Sequence, residues 1–340
     1  MNSIEDQNRK QKQVRKTAQE RVELKYDLAP LEGITGYAYR NAHHKFFEGT
    51  ELYYSPFLCA THTRNFKSGE KQDVLPENNQ GIKLVPQILS RNAEEFFWAV
   101  REMDSLGYRE VNLNLGCPMP TVYRKGKGSG FLKNPDELDR FFETFFRLTE
   151  REGICCGVSV KTRLGAESFD EMPVLIDIYN RYPICKVIVH PRTGTQLYSG
   201  KADQEAFSYA YDRLKHTIVY NGDISCEEDL CRLRENFPAL EEVMIGRGVI
   251  RDPALIRRLQ GGGRLSVREL SAFHEELLDN YLRQLHSEVT TLKKMKELWA
   301  YMGRLFPSGE KEKKAVLKAS SLAEYRGAVR VLMNIGKLQL

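Results

Sequence analysis

The 340-residue chain has no apolar run near the roughly 18 residues that cross a bilayer. Its opening, MNSIEDQNRKQKQVRK, has no apolar core of the kind that marks a secretory signal. With a charged fraction of 29%, these absences point to a cytoplasmic protein with no membrane partner. Cysteine is sparse and odd in number: Cys59, Cys117, Cys155, Cys156, Cys185, Cys226 and Cys231. A chain of this length needs no disulfide framework. Four residues separate Cys226 from Cys231, but no second Cys/His pair follows, so no metal centre is expected. There is no GxGxxG near the start, which counts against a doubly wound open sheet. No short internal repeat is evident, and nothing calls for a protein partner.

Charge is distributed unevenly. The whole chain carries 51 Lys+Arg against 46 Asp+Glu, a net of +5. Arg264 to Leu340 alone holds 14 basic and 9 acidic residues, also a net of +5, so the rest of the chain is neutral. A solvated helical surface would account for this, and so would a footprint for a polyanion.

After a polar segment over 1–25, apolar runs alternate with amphipathic stretches. The strand candidates are YDLAPL, ELYYSPF, IKLVPQIL, EVNLNLG, CGVSVKTRL, CKVIVH, HTIVYNG and EVMIGRG. Helical patterns such as AEEFFWAVREMDSLG and PDELDRFFETFFRLTERE lie between most of them. Eight strand-helix units predict an α/β fold, a (β/α)8 TIM barrel. Gly261, Gly262 and Gly263 then form a joint, beyond which only helical periodicity is visible. The sequence therefore divides into a charged extension (1–25), a catalytic barrel (26–260) and a small C-terminal helical bundle (264–340).

Barrel chemistry sits at the C-terminal ends of the strands. Those positions hold Pro30 with Glu32, Gln87, Asn114 with Cys117, Lys161 with Arg163, His190 with Arg192, Asn221-Gly222-Asp223 and Gly246-Arg247-Gly248. Polar groups are costly to bury unpaired, so a ring of them around one mouth indicates a site. The last two groups follow the seventh and eighth strands, where glycines let backbone N–H groups approach a phosphate. Lys161 would place a cation in the mouth, suited to the anionic edge of a reduced flavin.

The motifs NLGCP…GKGSGFLKNP, VKTRLG, VHPRTGTQLYSGKAD, YNGDI and MIGRG occur in this order, after LAPLEGITGYAYRNA. Together they resemble the tRNA-dihydrouridine synthase family over about Tyr26 to Leu259, and more loosely beyond. The resemblance implies an FMN-containing barrel that reduces uridine in tRNA with NADPH, and a helical domain that grips the RNA. It implies FMN ligands at Pro30, Gln87, Asn114, Lys161, His190, Asn221, Gly222, Asp223, Gly246 and Arg247. It also implies that Cys117 is the proton donor. The longer charged N-terminus and the side chains of MPTVYRKGKG depart from the family pattern.

Reduction of the uracil C5–C6 bond needs a hydride at C6 and a proton at C5. A thiol, with a pKa near 8.5, is protonated at neutral pH and can act as the acid. Gly126, Gly128 and Gly130 would permit a mobile lid that brings Arg124, Lys125 and Lys127 to phosphates. Arg163 and Arg192 are candidates for holding the base or a neighbouring phosphate, and Tyr198 for supporting the flipped nucleotide. Two other readings stay open. One is a dihydroorotate dehydrogenase-like flavoenzyme acting on a free small molecule, against which the basic helical tail argues. The other is a non-catalytic RNA-binding module, against which Cys117, Lys161 and His190 argue together.

Overall fold

The strands of this chain are short and mostly buried, as strands covered on two sides are. In the computed structural model, which describes residues 23–335, 338 and 339, there are ten. They are β1 (Lys25–Leu28), β2 (Tyr53–Tyr54), β3 (Leu58–Cys59), β4 (Leu84–Val85), β5 (Gln87–Leu89), β6 (Glu110–Leu115), β7 (Gly157–Arg163), β8 (Lys186–His190), β9 (Thr217–Tyr220) and β10 (Glu242–Ile245). All pair in parallel, in the order β3-β5-β6-β7-β8-β9-β10-β1-β2-β4. The first strand lies beside the last, Leu28 opposite Ile245, so the sheet is strongly curled. Most of the expected charged extension, residues 1–22, lies outside the described residues.

The count of ten, against the eight expected, has a cause in proline. Pro86 separates β4 from β5 and Pro56 lies between β2 and β3, and proline cannot donate to a ladder. Ser55 repairs the break: its N–H donates to Val85 O at 3.1 Å, and its Oγ accepts the Gln87 N–H at 3.0 Å. Counted as two interrupted strands, these four segments return the number to eight.

The helix Pro135–Glu152 illustrates how the outer layer forms. It starts with proline at its first position and ends at Gly153 in the left-handed region, φ 66°. Leu138, Phe141, Phe142 and Phe145 make its buried stripe, at the i, i+3, i+4, i+7 spacing of one helical face.

Beyond Gly263 the described chain is helical: Val267–Leu285, Glu288–Met302, Glu310–Lys318 and Leu322–Ile335. These helices are tied together at Tyr325, whose hydroxyl accepts from Trp299 Nε1 at 2.6 Å and meets His274 Nε2 at 2.7 Å. They are also welded to the helix Tyr37–Phe46 that follows β1. Phe273 packs edge-on against Tyr39 and Phe47, Asn280 Nδ2 donates to Ala38 O, and Lys294 Nζ donates to Gly33 O. One continuous apolar core runs through both parts. Among the described residues, no helix is long and apolar enough to cross a membrane.

Candidate active site

Alternate residues of a strand share a face, and the inner face of the curled sheet changes character along its length. Ala29, Tyr54, Val85, Ile188, Val219 and Met244 fill its middle with a small apolar cluster. Beside it runs a chain of amides. Asn112 Nδ2 donates to Ser159 Oγ, Gln87 Nε2 to Asn112 Oδ1, and Asn114 Nδ2 to Gln87 Oε1, each at 2.8 Å. The chain ends where Asn114 Oδ1 accepts the N–H groups of Gly116 and Cys117 at 3.1 and 2.9 Å. Interlocked amides leave no freedom to flip, so the backbone carrying Cys117 is held from the interior of the curled sheet.

The C-terminal ends of the strands open into a cavity of about 870 Å³. Every expected cofactor residue lines it: Pro30, Gln87, Asn114, Lys161, His190, Asn221, Gly222, Asp223, Gly246 and Arg247. Cys117, Arg163 and Tyr198 line it as well. Lys161 is the most exacting of these. Its ammonium has no hydrogen bond or ion pair among the described residues, and burial, helped by the charge of Arg163, pushes its pKa down to about 7. An unpartnered cation in a cavity favours a bound anion.

The other titratable groups have fixed partners. Cys117 is lifted above the ordinary thiol value by burial, and the nearby carboxylate of Glu32 adds to the effect. It is therefore a protonated thiol at neutral pH. Burial and the charges of Lys161 and Arg163 hold His190 well below the usual histidine value. Its Nδ1 lies 2.5 Å from Asn221 O, which only accepts, so the proton is on Nδ1. Its Nε2 is left to accept from Arg192 at 3.2 Å. Burial would raise Asp223, but Arg192, the Ala202 N–H and Arg247 outweigh it and hold the carboxylate below its usual range. Arg247 meets Asp223 at 2.8 Å and Arg192 meets it at 2.5 Å.

Several expected substrate residues have other work. Arg192 is buried and does not line the cavity. It serves Asp223, His190 and the carbonyls of Ser199 and Gly200. Arg163 donates from Nε to Gly116 O at 2.8 Å and from Nη1 to Thr193 O and Leu197 O at 2.7 Å. It thereby ties the Cys117 turn to the loop after β8. That loop presents Tyr198, 48% exposed, with Arg247 and Arg163 over its ring at 4.8 and 5.5 Å.

Lys125 is exposed and Lys127 half-buried, and neither lines the cavity. The loop that carries them is anchored rather than free, contrary to the lid expected from its glycines. Ser129 N–H and Oγ both donate to Cys117 O, and Arg91 donates to Lys125 O. The glycines allow close approach instead: a Cβ on Gly128 would lie 2.6 Å from Cys117 O, and one on Gly130 2.3 Å from Tyr123 O.

Sequence reasoning missed Arg251, Tyr301 and Arg304, which also line the cavity. Arg251 follows Arg247 by one helical turn, a spacing that could have suggested it. Tyr301 and Arg304 come from the C-terminal helices, and no local pattern says where those helices pack.

Known proteins share this architecture and its sequence. The family described as "Dihydrouridine synthase (Dus)" matches residues 27–332. The chain is 26% identical over 312 residues to a "Probable tRNA-dihydrouridine synthase" of Staphylococcus aureus (strain COL), covering 88% of this chain and 90% of that one. It is 25% identical to "tRNA-dihydrouridine synthase B" of Shewanella oneidensis, over 74% of this chain and 77% of the other. Among solved structures, morphinone reductase superposes with a TM-score of 0.52 at 13% identity, covering 76% of this chain and 94% of that one. Histamine dehydrogenase from Rhizobium sp. 4-9 superposes at 0.51 and 10% identity, over 70% and 45%. At such identities these two speak to the fold alone.

Proposed function

The chain belongs to the dihydrouridine synthase family, and from that premise we propose that it reduces a uridine of tRNA to 5,6-dihydrouridine, using bound FMN and NADPH. We read β2/β3 and β4/β5 as interrupted strands of a (β/α)8 barrel whose mouth is the active site. The observation that carries the reading is a single cavity holding the unpartnered amine of Lys161, whose charged form a bound anion would restore, together with the thiol of Cys117.

The residues present fit a flavin. Lys161 is the orphaned cation that its electron-rich ring edge requires, and the turns Asn221–Asp223 and Gly246–Gly248 offer backbone to a phosphate. Gln87 and Asn114 each keep one amide N–H beyond those they donate to Asn112 and to Gln87 respectively. When bound, the flavin supplies the hydride for uracil C6.

The protein's own residues do the rest. Cys117 gives its proton to C5, completing saturation of the C5–C6 bond, and is afterwards reprotonated from solvent. Asn114 holds the Cys117 backbone, and Arg163 holds the turn from the other side. His190, neutral and engaged at both nitrogens, shapes the wall and fixes Asn221. Asp223 orients Arg247, and the pair of arginines over Tyr198 makes a platform for a nucleotide that has left its stack. Arg192 acts through Asp223, while exposed Lys125 is assigned to RNA phosphates outside the cavity; Lys127 is half-buried and donates to Ala60 O.

The test is mass-spectrometric mapping of dihydrouridine in RNA from cells with and without the gene, alongside the flavin content of the purified protein. Loss of dihydrouridine from tRNA in the deleted strain, and a yellow protein releasing FMN, are expected. A folded protein that takes up no added FMN, or unchanged RNA, overturns the proposal. FMN uptake with unchanged RNA would favour a small-molecule substrate.

A further inference from the structure

Five cations line the cavity: Lys161, Arg163, Arg247, Arg251 and Arg304. Arg163 is committed to three carbonyls and Arg247 to Asp223. Lys161 projects from strand β7 among the residues assigned above to the flavin. Arg251 and Arg304 remain, and neither has a hydrogen bond or ion pair among the described residues.

They come from different parts of the fold. Arg251 ends the short helix Arg247–Arg251 after β10, and Arg304 lies in the turn Gly303–Leu305 that closes the helix Glu288–Met302. The short helix packs against both of these C-terminal elements. Tyr301, three residues before Arg304, lines the same cavity. Two unpaired arginines lining one cleft, on elements that pack against each other, raise the local concentration of anions, and their planar forks match phosphate oxygens.

We propose that Arg251 and Arg304 form a phosphodiester subsite that grips the RNA backbone beside the nucleotide delivered to Cys117. This rests on the tRNA-reduction reading above. A cofactor phosphate is already served by the backbone of the glycine turns assigned to it above. Arg304, by contrast, belongs to the segment that carries the whole net positive charge of the chain. An RNA strand that lies on that segment and sends one base into the cavity is the ligand that touches both elements.

The experiment uses the full chain loaded with FMN and an unmodified tRNA transcript, with binding measured against salt concentration. Arg251→Gln and Arg304→Gln should each weaken binding about 10-fold. The double variant should lose less than the product of the two and flatten the log–log salt slope by about one, because both side chains hold one phosphate. Arg251→Lys and Arg304→Lys should recover the slope, since charge is kept, but only part of the affinity, since the fork is lost. Unchanged affinity and slope in a folded double variant overturn the inference. So does a loss that appears in FMN content, which would place the cofactor phosphate there. A loss confined to flavin reduction by NADPH would assign the site to the reductant and equally refute it. If the parent protein binds no FMN or no tRNA, the function itself has failed, which is a separate result.

Discussion

At Cys117 two requirements meet: the thiol has to carry a proton, and it has to stay in one place. Burial and Glu32 meet the first, and the amide chain from Ser159 through Asn114 meets the second. Cys117→Ala should retain FMN and tRNA binding, while reoxidation of the reduced flavin by tRNA slows about 10²- to 10⁴-fold, the usual contribution of a positioned acid. Cys117→Ser should be nearly as defective, because it keeps the size and loses the acidity. Anaerobic single-turnover stopped flow decides this, and near-normal rates in both variants would mean that the proton comes from elsewhere. An acid must be protonated to act and this one is shifted upward. The rate of that step should therefore be flat through neutral pH and fall only on the alkaline side.

Among the connecting elements, the loop from Cys117 to Gly130 gets its shape from close backbone approach. Gly128 sits at φ 57° with Cys117 O only 2.6 Å from where a Cβ would be, whereas Gly153 sits at φ 66° with open space around it. Gly153→Ala should cost about 1 kcal/mol for the left-handed backbone alone. Gly128→Ala carries that cost plus overpacking, about 1–3 kcal/mol more, and should also displace Cys117. Urea midpoints of the two variants provide the comparison, and equal losses would show that the loop does not depend on this close approach. Arg163 binds the same loop to the one carrying Tyr198, so the two should order together.

For the whole molecule, the helical segment is part of one core. Phe273, Leu277 and Leu278 are buried in the same cluster as Tyr39 and Phe47, so ending the chain near Gly263 would remove the first three, expose Tyr39 and Phe47, and take away one wall of the cavity. Its charge is better tested by substitution. Lys311, Lys314 and Lys318 are exposed at helical spacing along Glu310–Lys318. Changing all three to Gln should weaken tRNA binding and reduce the salt slope by about one for each phosphate that is no longer neutralised. An unaltered slope would remove this helix from the interface.

Stability has its own pH dependence at the opposite end of the strands. Asp27 is fully buried, with Oδ2 unbonded, near Glu242, which is paired to Lys186. Burial and Glu242 raise its pKa well above the carboxyl value. A raised folded pKa means that its stabilising contribution is complete below the unfolded value and is lost as pH climbs through the folded one. Asp27→Asn imitates the protonated form and keeps the oxygen that accepts the Leu52 N–H. It should raise Tm at neutral and alkaline pH and leave it unchanged in acid. A fall in Tm at pH 8 would show that the carboxylate is needed.

The sequence by itself determined much of the ring of strand-end residues that faces the cavity. Parallel strands present alternate side chains to one side and end at one mouth, so Gln87, Asn114, Lys161, His190 and the two glycine turns could be named from local pattern and motif order. It also determined that the chain turns wholly helical after Gly263. Only the tertiary structure decided what each long side chain does there. Arg163 and Arg192 stand at strand ends as Lys161 does, yet carbonyls and Asp223 from distant loops consume them, while Lys161 is left free. Two prolines, legible as letters, divided eight expected strands into ten because Ser55 could bridge the gap. Arg251 and Arg304 met at the cavity for a related reason: which helix packs against which depends on complementary surfaces far apart in the chain, and hydrophobic periodicity records only that a face is buried, not what buries it.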